Sequence, residues 1–209
     1  MSIMTTGSLF IISGPSGSGK GTVVKSLASS SPDYALSVSV TTRKMRGGDR
    51  EGVDYFFKTM DEFVALRDNN QLLEHALFVG NLYGTPRFYV EEQIAKGKIV
   101  LLEIEVNGAL QVKQRYPECV LIFLVPPNFT ELQHRLQSRG TEDIESMQAR
   151  FFRAREEIML INKYDYLVVN DKVEKAVECI QNIAFAEKLR PFRQKQIAED
   201  FFGNSSGST

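Results

Sequence analysis

The chain has 209 residues, 25 basic against 26 acidic side chains, a net charge of −1 and 43% apolar residues, which is ordinary globular composition for one or two domains with a real core. Disorder needs low hydrophobicity and high net charge, a broadly basic coat for nucleic acid is missing at this balance, and no apolar run approaches the roughly 20 residues of a membrane helix. Cys119 and Cys179 are too few for a disulfide scaffold and read as reduced thiols of a cytoplasmic protein, while His75 and His134 have no neighbouring zinc ligand.

In chain order, Leu9–Ile12 is a short apolar run. No Lys or Arg precedes Lys20, so this run predicts a first strand rather than the core of a signal peptide. A Gly-rich turn follows, then a helix to about Ala28. Tyr34–Val40 alternates and predicts a single strand. Thr59-Met-Asp-Glu62 predicts a capping box at a helix start. LLEHALF followed by GNLYG predicts a hairpin. Thr85-Pro86 predicts a cap and first position of a helix that Gly97 ends. Ile99–Ile104, Val120–Val125 and Tyr166–Val169 predict buried strands, and Asn128-Phe-Thr-Glu131 opens a helix after Pro126-Pro127. Pro191 closes the last helix.

This alternation of strands and helices predicts an α/β fold with a parallel sheet flanked by helices. Residues 7–40, 91–127 and 163–190 make the expected core. Residues 41–90 and 128–162 read as inserted lobes, the second almost wholly helical and rich in arginine. Residues 191–209 are a tail whose end, Gly203–Thr209, is low in complexity and expected to be disordered.

Gly14-Pro15-Ser16-Gly17-Ser18-Gly19-Lys20 fits G-x-x-x-x-G-K between a strand and a helix. Glycines let backbone N–H groups turn inward around phosphates, the helix N-terminus adds its dipole, and Lys20 adds a mobile charge. The core is therefore expected to be a P-loop unit that takes a nucleoside triphosphate. Gly21 stands where Ser or Thr usually follows the lysine, and Thr22 comes one later, so a hydroxyl ligand for Mg2+ is displaced. The metal is then expected to rest mainly on nucleotide oxygens and water.

Downstream lie Ser37-Val-Ser39-Val-Thr-Thr-Arg43, Arg46, Asp54-Tyr55, Glu74, Gly80-Asn-Leu-Tyr83-Gly-Thr85, Arg139-Gly-Thr-Glu, Arg150 and Val169-Asn170-Asp171. With the P-loop and its GKGT ending, this order resembles the guanylate kinase family of nucleoside-monophosphate kinases, from about Leu9 to Leu189. The resemblance implies Mg2+-dependent phosphoryl transfer from ATP to GMP in purine nucleotide metabolism, with dGMP a further candidate acceptor. It makes 41–90 a GMP-binding lobe and 128–162 a lid, with no nucleic-acid or membrane partner.

On that resemblance, Arg43 and Arg46 hold the GMP phosphate through guanidinium forks, with the Tyr55 and Tyr83 hydroxyls beside them. Glu74 accepts from guanine N1–H and NH2, while the Ser39 and Thr85 hydroxyls serve O6. Glu103 and Glu105 stand where the family often has Asp-Ile-Asp. Strand alternation would put both on one side, near the acceptor and the metal. Arg139 and Arg150, flanking an expected helix break at Gly140, close on the transferring phosphoryl group with Lys20 and Arg46. Asn170, with Asp171, contacts the adenine. Arg135, Arg153 and Arg155 are expected to be solvated or paired with Glu156, Glu157 and their neighbours. Guanylate-kinase-like domains of membrane-associated scaffolds share the resemblance without catalysis, but they typically lack an intact P-loop. Here Lys20 and both lid arginines are present.

Overall fold

A computed structural model describes residues 7–137 and 144–194, the side chains of 144–147 aside. Arg139, the break expected at Gly140 and the tail end Gly203–Thr209 lie outside the described residues.

Five strands form a wholly parallel sheet: β1 (Ser8–Ser13), β2 (Tyr34–Leu36), β7 (Ile99–Glu103), β8 (Val120–Val125) and β9 (Tyr166–Val169), in the order β2-β7-β1-β8-β9. Central β1 is buried throughout, as the unbroken run SLFIIS requires of a strand covered on both faces. Its residues still alternate. Phe10 and Ile12 join Leu101, Ile122, Leu124 and Val168 under α1 (Lys20–Ser30) and α7 (Val173–Lys188). Leu9 and Ile11 join Val100, Leu102 and Leu121 under α3 (Arg87–Ala95) and α4 (Val106–Arg115). Each such side chain taken out of water contributes about 1.5–3 kcal/mol before entropy is counted.

A second sheet, in the order β4-β3-β6-β5, is built from β3 (Val40–Thr41), β4 (Phe56–Phe57), β5 (Leu72–Phe78) and β6 (Asn81–Pro86). It packs on α2 (Met60–Asp68) through Val40, Phe63 and Leu72. The expected capping box is present: the Thr59 hydroxyl accepts from the Glu62 N–H, and the Glu62 carboxylate accepts from the Thr59 N–H at 2.7 Å. The expected hairpin is β5–β6. Val79 and Gly80 both take positive φ, 45° and 74°, the two-residue turn whose twist matches its strands. Between β8 and β9 run α5 (Phe129–Gln137), opened by Asn128 Oδ1 accepting from the Glu131 N–H at 2.8 Å, and α6 (Ile144–Ile158).

Two sequence expectations need correction. Tyr34–Val40 is not one strand: β2 stops at Leu36 in the parallel sheet, and Val40 begins β3 in the other. Thr85 and Pro86 do not open a helix but finish β6, and α3 starts at Arg87. Pro86 has no N–H for the ladder and sits at the strand's last position, where none is needed.

Candidate active site

Because the core sheet is parallel, the C-terminal ends of β1, β7, β8 and β9 lie along one edge, where open α/β sheets bind ligands. That edge gathers the P-loop after Ser13, Glu103, and Asn170 after Val169.

The P-loop is built on positive-φ glycines: Gly14, Gly17 and Gly19, at 142°, 87° and 88°. A side chain at Gly14 would strike the Leu124 carbonyl, and one at Gly19 would lie 2.5 Å from the Asn170 amide. Lys20 folds back over the loop, donating to the Gly14 and Pro15 carbonyls at 2.7 and 3.1 Å. Ser18 is buried, and its N–H donates to the Pro15 carbonyl. The Ser16 hydroxyl accepts from Arg150 at 2.8 Å, so α6 reaches across to the loop.

Asn170 is only 3% exposed, and its side-chain amide donates to the Ser18 carbonyl at 2.8 Å. The residue expected to meet the adenine thus braces the P-loop. It also lines a cleft of about 260 Å³ with Gly17, Gly19, Thr22, Arg135, Asp171 and Val173. Arg135 pairs with Glu131 at 2.7 Å, not with Glu156 or Glu157, and it borders this cleft. Its place four positions before Arg139 was the signal available in the sequence.

Glu103 ends β7 with its carboxylate 3.4 Å from where a Cβ at Gly21 would sit. Hard oxygen donors therefore collect at the start of α1, from Glu103 and exposed Thr22, a donor set that suits Mg2+. Among the described residues no group of three acidic, His or Cys side chains could hold a metal alone. Glu105 parts from Glu103. It caps α4 rather than continuing the strand, and it pairs with Arg153 at 2.5 Å. The bond of Arg153 to Glu105 joins α6 to the core, and within α6 Arg153 also meets Glu157 at 3.4 Å. Burial, then the nearby Glu105 charge, pushes the Glu157 carboxyl up.

In the second sheet Arg43, Tyr55 and Tyr83 come together. The Arg43 guanidinium lies 5.2 Å from the Tyr55 ring centre, and the two tyrosine rings meet edge-on at 5.9 Å. Arg43 also pairs with Asp49 at 3.0 Å. Bonds from Arg43 and from the Arg46 N–H hold the Asp49 carboxyl below its ordinary range. The Arg46 side chain is exposed. Ser39 is half-buried, its carbonyl accepting from the Phe56 N–H at 2.8 Å.

Glu74 is 6% exposed. The β5–β6 register slips between Leu72 and His75, a bulge that puts an extra residue opposite Thr85 and breaks the alternation. Leu72, Leu73 and Glu74 are all buried as a result. The Thr85 hydroxyl donates to Glu74 Oε1 at 2.7 Å instead of pointing into open space. Burial raises the Glu74 carboxyl above its ordinary range, opposed by the Thr85 bonds and by Arg115.

A family model described as "Guanylate kinase" matches residues 6–187. The guanylate kinase of Oceanobacillus iheyensis is 52% identical over 95% of this chain and 98% of that protein. That of Lactococcus lactis is 51% identical over 88% and 90%. A crystal structure of guanylate kinase from Anaplasma phagocytophilum superposes with a TM-score of 0.70, at 34% identity, over 95% of this chain and 96% of the other.

Proposed function

The chain belongs to the guanylate kinase family and is an enzyme converting ATP and GMP to ADP and GDP, and from that premise we propose how its residues divide the work. The observation that carries the reading is a buried carboxylate, Glu74, on a bulged strand. An ionisable group is kept in such a place at a cost, and a base offering two adjacent donors repays it. Guanine does so through N1–H and NH2. Adenine would present the N1 lone pair instead. Thr85, already bonded to Oε1, holds the carboxylate in orientation, and Ser39 serves O6.

Arg43, Tyr55 and Tyr83 take the GMP phosphate, with Arg46 swinging in from solvent to complete the charge. Residues 41–90 act as the GMP-binding lobe, 128–162 as the lid, and 7–40, 91–127 and 163–190 as the core. The triphosphate lies in the loop of Gly14, Pro15, Ser16, Gly17, Ser18, Gly19 and Lys20, continued by Gly21 and Thr22. The adenosine occupies the cleft beside Arg135, Asn170 and Asp171. Lys20 then exchanges its bonds to the loop carbonyls for phosphate oxygens. Thr22 and Glu103, at the start of α1, would hold Mg2+ together with nucleotide oxygens, and the ion would offset charge on the phosphates.

The chain needs no strong base, because a GMP phosphate oxygen is already an ionised nucleophile. Its residues position two anions in line and offset the charge that develops, which is the usual division of labour in phosphoryl transfer. Arg150, with Arg139, does so from the lid, whose closure excludes water as a competing acceptor.

The test is a coupled assay of ADP release over GMP, dGMP, AMP, CMP and UMP for the wild type and Glu74→Gln. The amide puts a donor against a guanine donor, and breaking a buried polar match is expected to lower kcat/KM for GMP by roughly 10²- to 10⁴-fold. AMP gains little, since Ser39 remains set for O6. An unchanged GMP/AMP ratio overturns the assignment of base recognition to Glu74.

A further inference from the structure

Helix α4 presents Gly108 and Arg115 on one stripe, seven residues and about two turns apart. Both meet β5 at its bulge. A Cβ at Gly108 would lie 3.4 Å from Glu74 Oε2, so the carboxylate rests against the helix where it has no side chain. Arg115 Nη1 donates to the Leu72 carbonyl at 3.1 Å and, more weakly, to the Leu73 carbonyl at 3.4 Å. These carbonyls belong to the bulge immediately before Glu74, where the ladder with β6 slips. Among the described residues β5 is also an edge strand, with β6 as its one neighbour in the sheet, so no described strand on its other side fixes the register. A one-residue change in pairing would turn Glu74 to the opposite face.

We propose that Arg115 is a positioning residue for guanine recognition: its guanidinium pins the bulged backbone of β5 to α4 and thereby holds the Glu74 carboxylate toward the base. This rests on the reading of Glu74 as the group that reads guanine. Arg115 itself touches no substrate. It acts from the core helix on the lobe strand, and its charge lies near the buried carboxylate it orients.

The experiment is a double-mutant cycle of Arg115→Met and Glu74→Gln, with Arg115→Lys as the conservative variant. KM and kcat are measured for GMP, KM for ATP, and the GMP/AMP ratio for each protein. Arg115→Met keeps the stem but removes donors and charge. We expect KM for GMP to rise about tenfold or more, kcat and KM for ATP to change less than twofold, and the GMP/AMP ratio to fall. Arg115→Lys, able to reach one carbonyl, recovers part of the loss. In the Glu74→Gln background Arg115→Met adds little, because residues acting through one another are not additive. If Glu74→Gln leaves the GMP/AMP ratio unchanged, the reading of Glu74 fails and this inference with it. If Glu74→Gln lowers the ratio but Arg115→Met leaves KM for GMP intact, or the two losses simply multiply, the inference about Arg115 alone is overturned. Should Arg115→Met not fold, Arg115→Lys decides: wild-type KM for GMP and ratio refute the clamp, and a raised KM for GMP at constant KM for ATP supports it.

Discussion

The bond from Asn170 to the P-loop allows a direct test of what that residue does. Its amide sits 3% exposed between the end of β9 and the loop, with the backbone N–H on the Val125 carbonyl at 2.7 Å and the side chain on Ser18 at 2.8 Å. Asn170→Ala takes the donor away from the Ser18 carbonyl. A buried acceptor left unpaired costs about 1–3 kcal/mol, and the lost packing brings the total to about 2–3 kcal/mol. For a chain of this size that lowers Tm by about 4–12 °C. Asn170→Asp is nearly isosteric but puts a carboxylate oxygen against a carbonyl oxygen, so it should destabilise more than alanine does. Urea unfolding of both variants at pH 7 reads the stability. Steady-state kinetics with ATP and GTP as phosphoryl donors read the site. A brace loosens the loop for either nucleotide, so KM for both donors rises by a similar factor. Unchanged stability, aspartate no worse than alanine, and a loss confined to ATP would refute the brace and return Asn170 to reading the adenine.

Two further outcomes follow from the same geometry. Burial raises the Glu74 carboxyl above its unfolded value, so its contribution to stability is fully present below the unfolded pKa, about 4.3, and is lost as pH rises through the higher folded value. Glu74→Gln, a neutral mimic, should therefore melt at a higher temperature than wild type at pH 7, the gain vanishing toward pH 4 in calorimetric scans; an equal gain at both pH values contradicts this. Arg150 bonds the P-loop from α6, and Arg150→Ala should lower kcat about 10²-fold while KM for GMP changes little. A collapse of GMP affinity at constant kcat would put Arg150 in the acceptor site instead.

The elements legible in the sequence were those whose signal is local. The Gly14–Lys20 loop, the Thr59–Glu62 box and the Asn128 cap each depend on residues a few positions apart, and each appears as read. The run Tyr34–Val40 misled because alternation has the same period in either sheet, and it does not announce that the chain leaves one sheet for another. Thr85-Pro86 carries a helix-start signal, yet pairing with β5 holds it in the strand. Alternation places Glu103 and Glu105 on one side of a strand, but β7 stops between them, and Glu105, at the start of α4, pairs with Arg153. The bond from Asn170 to Ser18 spans 152 positions, and no pattern within the strand or the loop encodes it. The buried Glu74 was visible as a charge in an apolar run, whereas the bulge that buries it belongs to two strands together.

The insertion of one sheet inside another bears on how the chain folds. β2 finds its partner β7 only after the whole stretch from Ser37 to Lys98 has been looped out. Within that stretch Val40 pairs with Gly84, so the ends of the inserted sheet leave it side by side. Once that sheet has formed, the loop still to be closed is roughly a third of its former length. Closure entropy grows only as the logarithm of length, so this shortening relieves about 1 kcal/mol. The small sheet can thus condense on its own short-range contacts and hand the core a ready-made, nearly closed loop, and residues added at its outer turns would lengthen the chain without delaying the docking of β2.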